Sequence, residues 1–230
     1  MRLLLVRHGQ TPNNVRGALD TEIPGARLTA LGEAQADAIP AALSGYDVAA
    51  VYATRKVRTQ LTATPLARTR GLEVHVRPGL EEISAGALTM RSDAQSVGAY
   101  GETLVAWMHG DLGRPMPGGP DGHAFLERYD AAVGAIVAEH GPDDTAVVVS
   151  HGAAIRVWTA LSAGLDGQTA ADLTIKNTGM GVLEGDPESG WELALWHSGP
   201  LGGAHLADGG AHDVTGESAE DAAQEPTPDS

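Results

Sequence analysis

Cysteine is absent from the 230 residues, which excludes disulfides and thiolate metal sites. Basic residues are few. The chain has 15 Lys and Arg against 30 Asp and Glu, for a formal net charge of −15. A surface of that sign disfavours nucleic acid, whose phosphates require basic patches. No Lys or Arg follows Lys176, and the segment 208–230 carries seven acidic residues. No apolar stretch approaches the ~20 residues of a membrane-spanning helix, and no signal sequence is expected, because the first strand pattern begins at Arg2 and carries the key motif. Together these absences fit a cytoplasmic protein that binds neither nucleic acid nor membrane. They carry no information on oligomeric state.

What is present begins with Leu3-Leu4-Leu5-Val6-Arg7-His8-Gly9. A short, unbroken run of branched apolar residues suits a strand buried on both faces of a sheet. The C-terminal end of such a strand is where open α/β sheets hold ligands. Here it delivers a guanidinium, an imidazole and a glycine, groups suited to holding and attacking a phosphoryl group. Thr145-Ala146-Val147-Val148-Val149-Ser150-His151-Gly152 repeats the design far along the chain. If the two strands are neighbours, their imidazoles lie side by side.

Strand patterns fall at 2–6, 48–53, 73–76, 146–150, 181–184 and 192–197. Helix patterns fall at 29–43, 56–69, 102–110, 124–140 and 153–163. Pro40 and Pro65 lie inside two of these helices and are expected to kink or end them. The alternation predicts one α/β domain, a three-layer α/β/α sandwich with a mostly parallel central sheet, over residues 1–202. The region 82–122 is expected to act as a lid over the sheet end. Residues 203–230, rich in Gly, Ala, Asp and Glu, bury too little to offset their ordering entropy. They are expected to form a disordered acidic tail that is dispensable for turnover.

Arg7-His8-Gly9-Gln10-Thr11-Pro12-Asn13-Asn14 resembles the Arg-His-Gly-x-Thr-x-x-Asn signature of the histidine phosphatase superfamily, in its phosphoglycerate-mutase-like branch. The similarity continues in order through Leu28-Thr29-Ala30-Leu31-Gly32-Glu33-Ala34-Gln35-Ala36, the segment from Val51 to Ala63, Leu80-Glu81-Glu82-Ile83-Ser84-Ala85-Gly86, and Ser150-His151-Gly152. The resemblance implies a metal-independent, cofactor-free phosphomonoester phosphatase acting on a small-molecule phosphate ester. His8 would be the nucleophile, forming a phosphohistidine. Arg7, Arg58, His151, Asn14 and Gly152 would surround the phosphoryl oxygens. Glu82 would protonate the leaving alcohol, its pKa raised by burial and by the phosphate, with Glu81 as the rival. Two alternatives share the pocket. One is a phosphoglycerate mutase, which returns the phosphoryl group to a sugar acid; the other is a phospholigand-binding protein without turnover. Only Arg91 and Arg114 are basic between Gly86 and Gly122, which favours water as the acceptor. A metal between His8 and His151 is disfavoured because Arg7 and Arg58 would repel a cation.

Departures from the family pattern fall around the pocket rim. Thr54-Arg55-Lys56 stands where Ser-Asp-Leu is usual, and Pro120 where a loop often supplies Glu. Taken alone, Arg58 reads as a surface helix residue, and its neighbours Arg55 and Lys56 support that reading.

Overall fold

The computed structural model describes residues 1–208 and 215–216. In chain order the elements are β1 (Arg2–Arg7), α1 (Pro12–Val15), α2 (Ala30–Ala42), β2 (Val48–Ala53), α3 (Val57–Arg70), β3 (Val74–Val76), α4 (Ala94–Met108), α5 (Gly122–Ala138), β4 (Thr145–Ser150), α6 (Gly152–Ser162), α7 (Gly167–Asp172), β5 (Met180–Asp186) and β6 (Gly190–His197). One six-stranded sheet runs β3-β2-β4-β1-β5-β6. β3, β2, β4 and β1 are mutually parallel, β6 runs in the same direction, and only β5 runs opposite to the other five.

The apolar runs of β1 and β4 are buried along their length, as strands covered on both faces must be. Alternate residues serve opposite layers. Leu3, Leu5, Ala146 and Val148 pack with α4, α5 and α6 around Trp107, Phe125, Tyr129 and Trp158. Leu4, Val6, Val147 and Val149 pack with Ile39, Leu43, Ala63 and Leu66 of α2 and α3. These are the three layers expected from the alternation.

Several boundaries differ from the sequence reading. Both proline-containing helices continue past Pro40 and Pro65 rather than ending there. α4 starts eight residues before the expected position, at Ala94, where the Asp93 carboxylate accepts from Ser96 N. Val97, Tyr100, Leu104 and Trp107 form its buried stripe, and Gly98 and Gly101 dilute that pattern in the sequence. The expected lid therefore contains a core helix: Trp107 is fully buried and its indole N–H donates to Arg114 O at 2.8 Å. The two short helices α1 and α7 carry no periodicity long enough to read. Packing also continues beyond residue 202. Leu206 is buried, and its carbonyl accepts from Gln35 Nε2 at 2.8 Å. The expected disorder at 209–214 and 217–230 lies outside the described residues.

The register of the three central strands positions the residues beyond their ends. Arg7 pairs with Ser150 across β1 and β4, so the next residues, His8 and His151, leave the sheet side by side. Ala53 of β2 pairs with Val149, which brings Thr54 to the other flank of His151. Gly9 and Gly32 allow the chain after β1 to press against the start of α2. A Cβ on Gly9 would lie 2.6 Å from Gly32 O, and one on Gly32 would collide with the Gln10 backbone. Gly32→Ala is accordingly expected to cost about 2–3 kcal/mol and to lower Tm by about 4–10 °C. An unchanged melting curve would show that this contact relaxes freely.

Candidate active site

His8 is buried, and its Nδ1 lies 2.8 Å from the carbonyl oxygen of Gly9. A carbonyl only accepts, so Nδ1 carries the proton and Nε2 holds the bare lone pair. The main chain around the ring is tied down. His8 N donates to Ser150 O at 3.1 Å, Asn177 Nδ2 donates to His8 O at 3.0 Å, and Gly9 N donates to Thr62 Oγ1 at 2.9 Å. Burial holds the imidazole well below its ordinary pKa, and Arg58 and Arg7 add to the effect.

His151 is fully buried, with its ring centroid 5.3 Å from that of His8 and the planes inclined at 63°. Its Nε2 lies 3.2 Å from Thr54 Oγ1. Thr59 Oγ1 donates to Lys56 O at 2.8 Å, so at the 2.9 Å contact between the two threonine hydroxyls Thr54 is the donor. Thr54 therefore accepts from His151 Nε2. His151 Nδ1 is buried and has no hydrogen-bond partner, a position that the interior tolerates poorly unless a ligand completes it. Burial, Arg58 and His8 hold this imidazole too well below its ordinary pKa. Both rings are neutral in the unliganded protein at pH 7.

The two arginines approach from either side. Arg7 is fully buried; Nη1 donates to Ile175 O at 2.8 Å and Nη2 to Thr215 Oγ1 at 2.9 Å. Arg58, near the start of α3, is gripped by Asp20. Nη1 reaches Asp20 Oδ2 at 3.2 Å and Nη2 donates to Asp20 O at 2.8 Å. Arg58 Nε is buried and unpartnered. Asp20 Oδ2 also accepts from Asn13 Nδ2 and Ala26 N, which ties the loop after α1 to the guanidinium. Burial alone would raise the Asp20 pKa; Arg58 and Asn13 reverse this and hold it below the ordinary value. Asn14 Oδ1 accepts from Thr11 N and Thr11 Oγ1 in a reciprocal cap of α1, which sets the orientation of its amide.

Glu82 sits at the N-terminus of α6. Its Oε1 accepts from Ala154 N at 2.8 Å and Ile83 N at 2.9 Å, and Oε2 from Ala153 N at 3.3 Å. Its neighbour Glu81 is committed elsewhere, to Arg55 at 2.7 Å, Gly79 N at 2.8 Å and Arg128 at 3.6 Å. Burial opposes ionisation of Glu81, but the hydrogen bonds from Arg55 and Gly79 N outweigh it and lower its pKa. Gly152 opens α6 against Arg7: a Cβ there would lie 2.9 Å from Arg7 Nε and 2.6 Å from Thr215 O.

All seven residues singled out in the sequence thus lie around the C-terminal ends of β1, β4 and β2 or on the segments just beyond them. Five others were not singled out. Thr54 ends a parallel strand beside His151, and the strand-end rule that drew attention to His8 would have found it. Asp20, Asn177 and Thr215 act through tertiary contacts that leave no local pattern. Lys56 supported a surface reading of the helix start, yet it is only 1% exposed. Of the residues expected to be disordered, the described Asp208, Thr215 and Gly216 meet the site. Asp208 Oδ2 accepts from Gln10 Nε2 at 2.8 Å, and Gly216 O accepts from Ile175 N at 2.8 Å. A side chain on Gly216 would collide with Arg7 Nη1.

A sandwich whose central strands end on two facing imidazoles flanked by two arginines is the site of an oxyanion-handling enzyme class. The match is specific: residues 3–199 fit the model of the histidine phosphatase superfamily (branch 1), and the chain belongs to that family. It is 36% identical over 217 residues to a PE-PGRS family protein of Mycobacterium tuberculosis, covering 87% of this chain but only 37% of that one. It is 30% identical over 166 residues to the adenosylcobalamin/alpha-ribazole phosphatase of Escherichia coli, covering 72% and 80% of the two chains. A mycobacterial glucosyl-3-phosphoglycerate phosphatase solved with VO3 superposes with a TM-score of 0.73 at 27% identity, over 86% of this chain and 98% of that one. Among the described residues, no helix is long and apolar enough to cross a membrane.

Two outcomes are expected from this geometry. Between the folded pKa values of the histidines and the ordinary 6.5, the unfolded chain binds more protons than the folded one. Stability therefore falls as pH drops through that window. Thermal melts from pH 7.5 to 5 should show a smaller acid loss in the His8→Asn, His151→Asn double variant than in the wild type. Equal losses would mean that the rings titrate normally. Removal of residues 208–230 should weaken binding of inorganic phosphate about tenfold in calorimetry, through loss of the Thr215 bond to Arg7. Undiminished affinity would show that this segment is a passenger.

Proposed function

We propose that the protein is a cytoplasmic, metal-independent phosphoric monoester hydrolase that acts on a small-molecule phosphate ester through a phosphohistidine on His8. The observation that carries this reading is the buried His8 ring itself. It is kept neutral by its surroundings, its Nδ1 is fixed on Gly9 O, and its Nε2 is left bare beside His151. Nucleophilic catalysis requires that lone pair at neutral pH.

In the first step His8 Nε2 forms a bond to phosphorus as the bond to the ester oxygen breaks. Glu82 delivers a proton to the departing alcohol, from Oε2, the oxygen with the single long hydrogen bond. In the second step water attacks the phosphohistidine, Glu82 takes its proton, and phosphate leaves with His8 restored. Arg7 and Arg58 balance charge on the equatorial oxygens, and such charge stabilisation is the main source of rate enhancement in phosphoryl transfer. His151 Nδ1, buried and unpartnered, gains its partner when an oxyanion arrives. The anion also favours protonation there, so His151 becomes a charged donor as charge builds. Asn14 adds a neutral amide to the same group, and Gly152 keeps the approach to Arg7 open.

Water is favoured over a sugar-acid acceptor by the pairing of Arg91 with Asp93 at 2.8 Å and of Arg114 with Glu102 at 3.4 Å. Both arginines are half-exposed and bound to surface acids rather than turned toward an acceptor. Phosphate trapped on the quenched enzyme should be acid-labile and base-stable. His8→Ala should abolish both the trapped label and turnover, and Glu82→Gln should lower kcat about 10²–10⁴-fold. Turnover should persist in EDTA. Label on serine, or activity lost to the chelator, would contradict the mechanism.

A further inference from the structure

The mechanism gives the buried cation Lys56 no role. Lys56 is 1% exposed and stands where the family pattern has an apolar residue. One of its three N–H groups is placed, on Glu22 O at 3.0 Å. Long cations are rarely buried so completely without a charged partner. Lys56 lines a cavity of about 350 Å³ together with Glu82, the proposed proton donor to the leaving group. Its floor is apolar, built from Ile83, Trp107 and Phe125.

Two other cations border this cavity, and both are paired with the Glu81 carboxylate. Arg55 Nε holds Glu81 at 2.7 Å. Arg128 donates to the main-chain carbonyls of Gly79 at 2.6 Å and Glu81 at 3.0 Å, and lies 3.6 Å from the Glu81 carboxylate. Among the described residues Lys56 has no carboxylate within salt-bridge distance, although Glu82, Asp20 and Glu81 attract it at longer range. Burial, with Arg58 beside it, pushes its pKa down to about 8, so the ammonium is stable at neutral pH but poorly compensated. The unmet charge, the small volume and the position beside Glu82 describe a receptor for one compact anion on the leaving group. A second phosphate dianion would call for two uncommitted cations.

We propose that Lys56 is a specificity-determining residue whose ammonium pairs with a carboxylate on the leaving group, so that the preferred substrates are phosphate esters of small hydroxy acids. The inference rests on the phosphatase reading above and adds to it the chemical character of the alcohol. Lys56 precedes α3, which carries Arg58, so one rigid element spaces the carboxylate contact from the phosphoryl contact.

The test compares 2-phospholactate with 2-phospholactamide, which has a neutral amide in place of the carboxylate. The wild type should favour the acid about tenfold or more in kcat/KM, as a charge-assisted hydrogen bond is worth. Lys56→Met should erase most of that preference, chiefly through KM, and Lys56→Arg should retain part of it. The wild-type preference should also decline between pH 7 and 9.5 as the ammonium loses its proton. This readout needs no variant to fold. A wild type that does not discriminate, a preference constant across that pH range, or one unchanged in Lys56→Met would each overturn the assignment while leaving the phosphatase reading intact. A wild type that hydrolyses neither ester nor a generic aryl phosphate would remove both.

Discussion

Parallel pairing of β1 with β4, with Arg7 opposite Ser150, is the constraint on which the site depends. Side chains alternate along a strand, so a slip of one residue would turn every one of them to the other face. The register is held because Leu3 and Leu5 belong to one core and Leu4 and Val6 to the other. Burial of four aliphatic side chains thus fixes, at one remove, where two imidazoles emerge. β2 adds the third strand end, and its Thr54 sets the tautomer of His151. The hydrophobic core and the chemistry are consequences of one alignment.

Electrostatics complete what register begins. Arg58 and Lys56 stand among two neutral imidazoles and the buried carboxylates of Asp20 and Glu82, which attract both cations. Asp20 also aims Arg58. The same burial that makes the site costly keeps the His8 imidazole neutral, which the proposed nucleophilic role requires.

The layers, the sheet's mostly parallel character and the two strand-terminal histidines were legible because continuous apolar runs and His-Gly endings are local patterns. Arg58 and Glu82 were legible only through family spacing, since a helix-start arginine and a loop glutamate look like solvated charges. Their partners could not be read. Asp20 reaches Arg58 across 38 residues and Thr215 reaches Arg7 across 208, and no window of sequence contains both ends of such a contact. The C-terminal residues misled for the same reason. Their composition resembles disorder, but Leu206 and Thr215 are held by single long-range hydrogen bonds that composition does not record. Lys56 misled because charge predicts exposure, whereas the fold buries this ammonium against Glu22 O.

The central claim is that His8 is a neutral imidazole with its proton on Nδ1 and that His151 waits for an anion. Long-range ¹H–¹⁵N correlation of the imidazole nitrogens, recorded at pH 7 with and without vanadate, tests it directly. The account predicts the Nδ1–H tautomer at His8 in the free protein, and a His151 that is neutral alone and gains a proton when the oxyanion binds. A His8 protonated on Nε2, or a His151 whose signals ignore the anion, would contradict it.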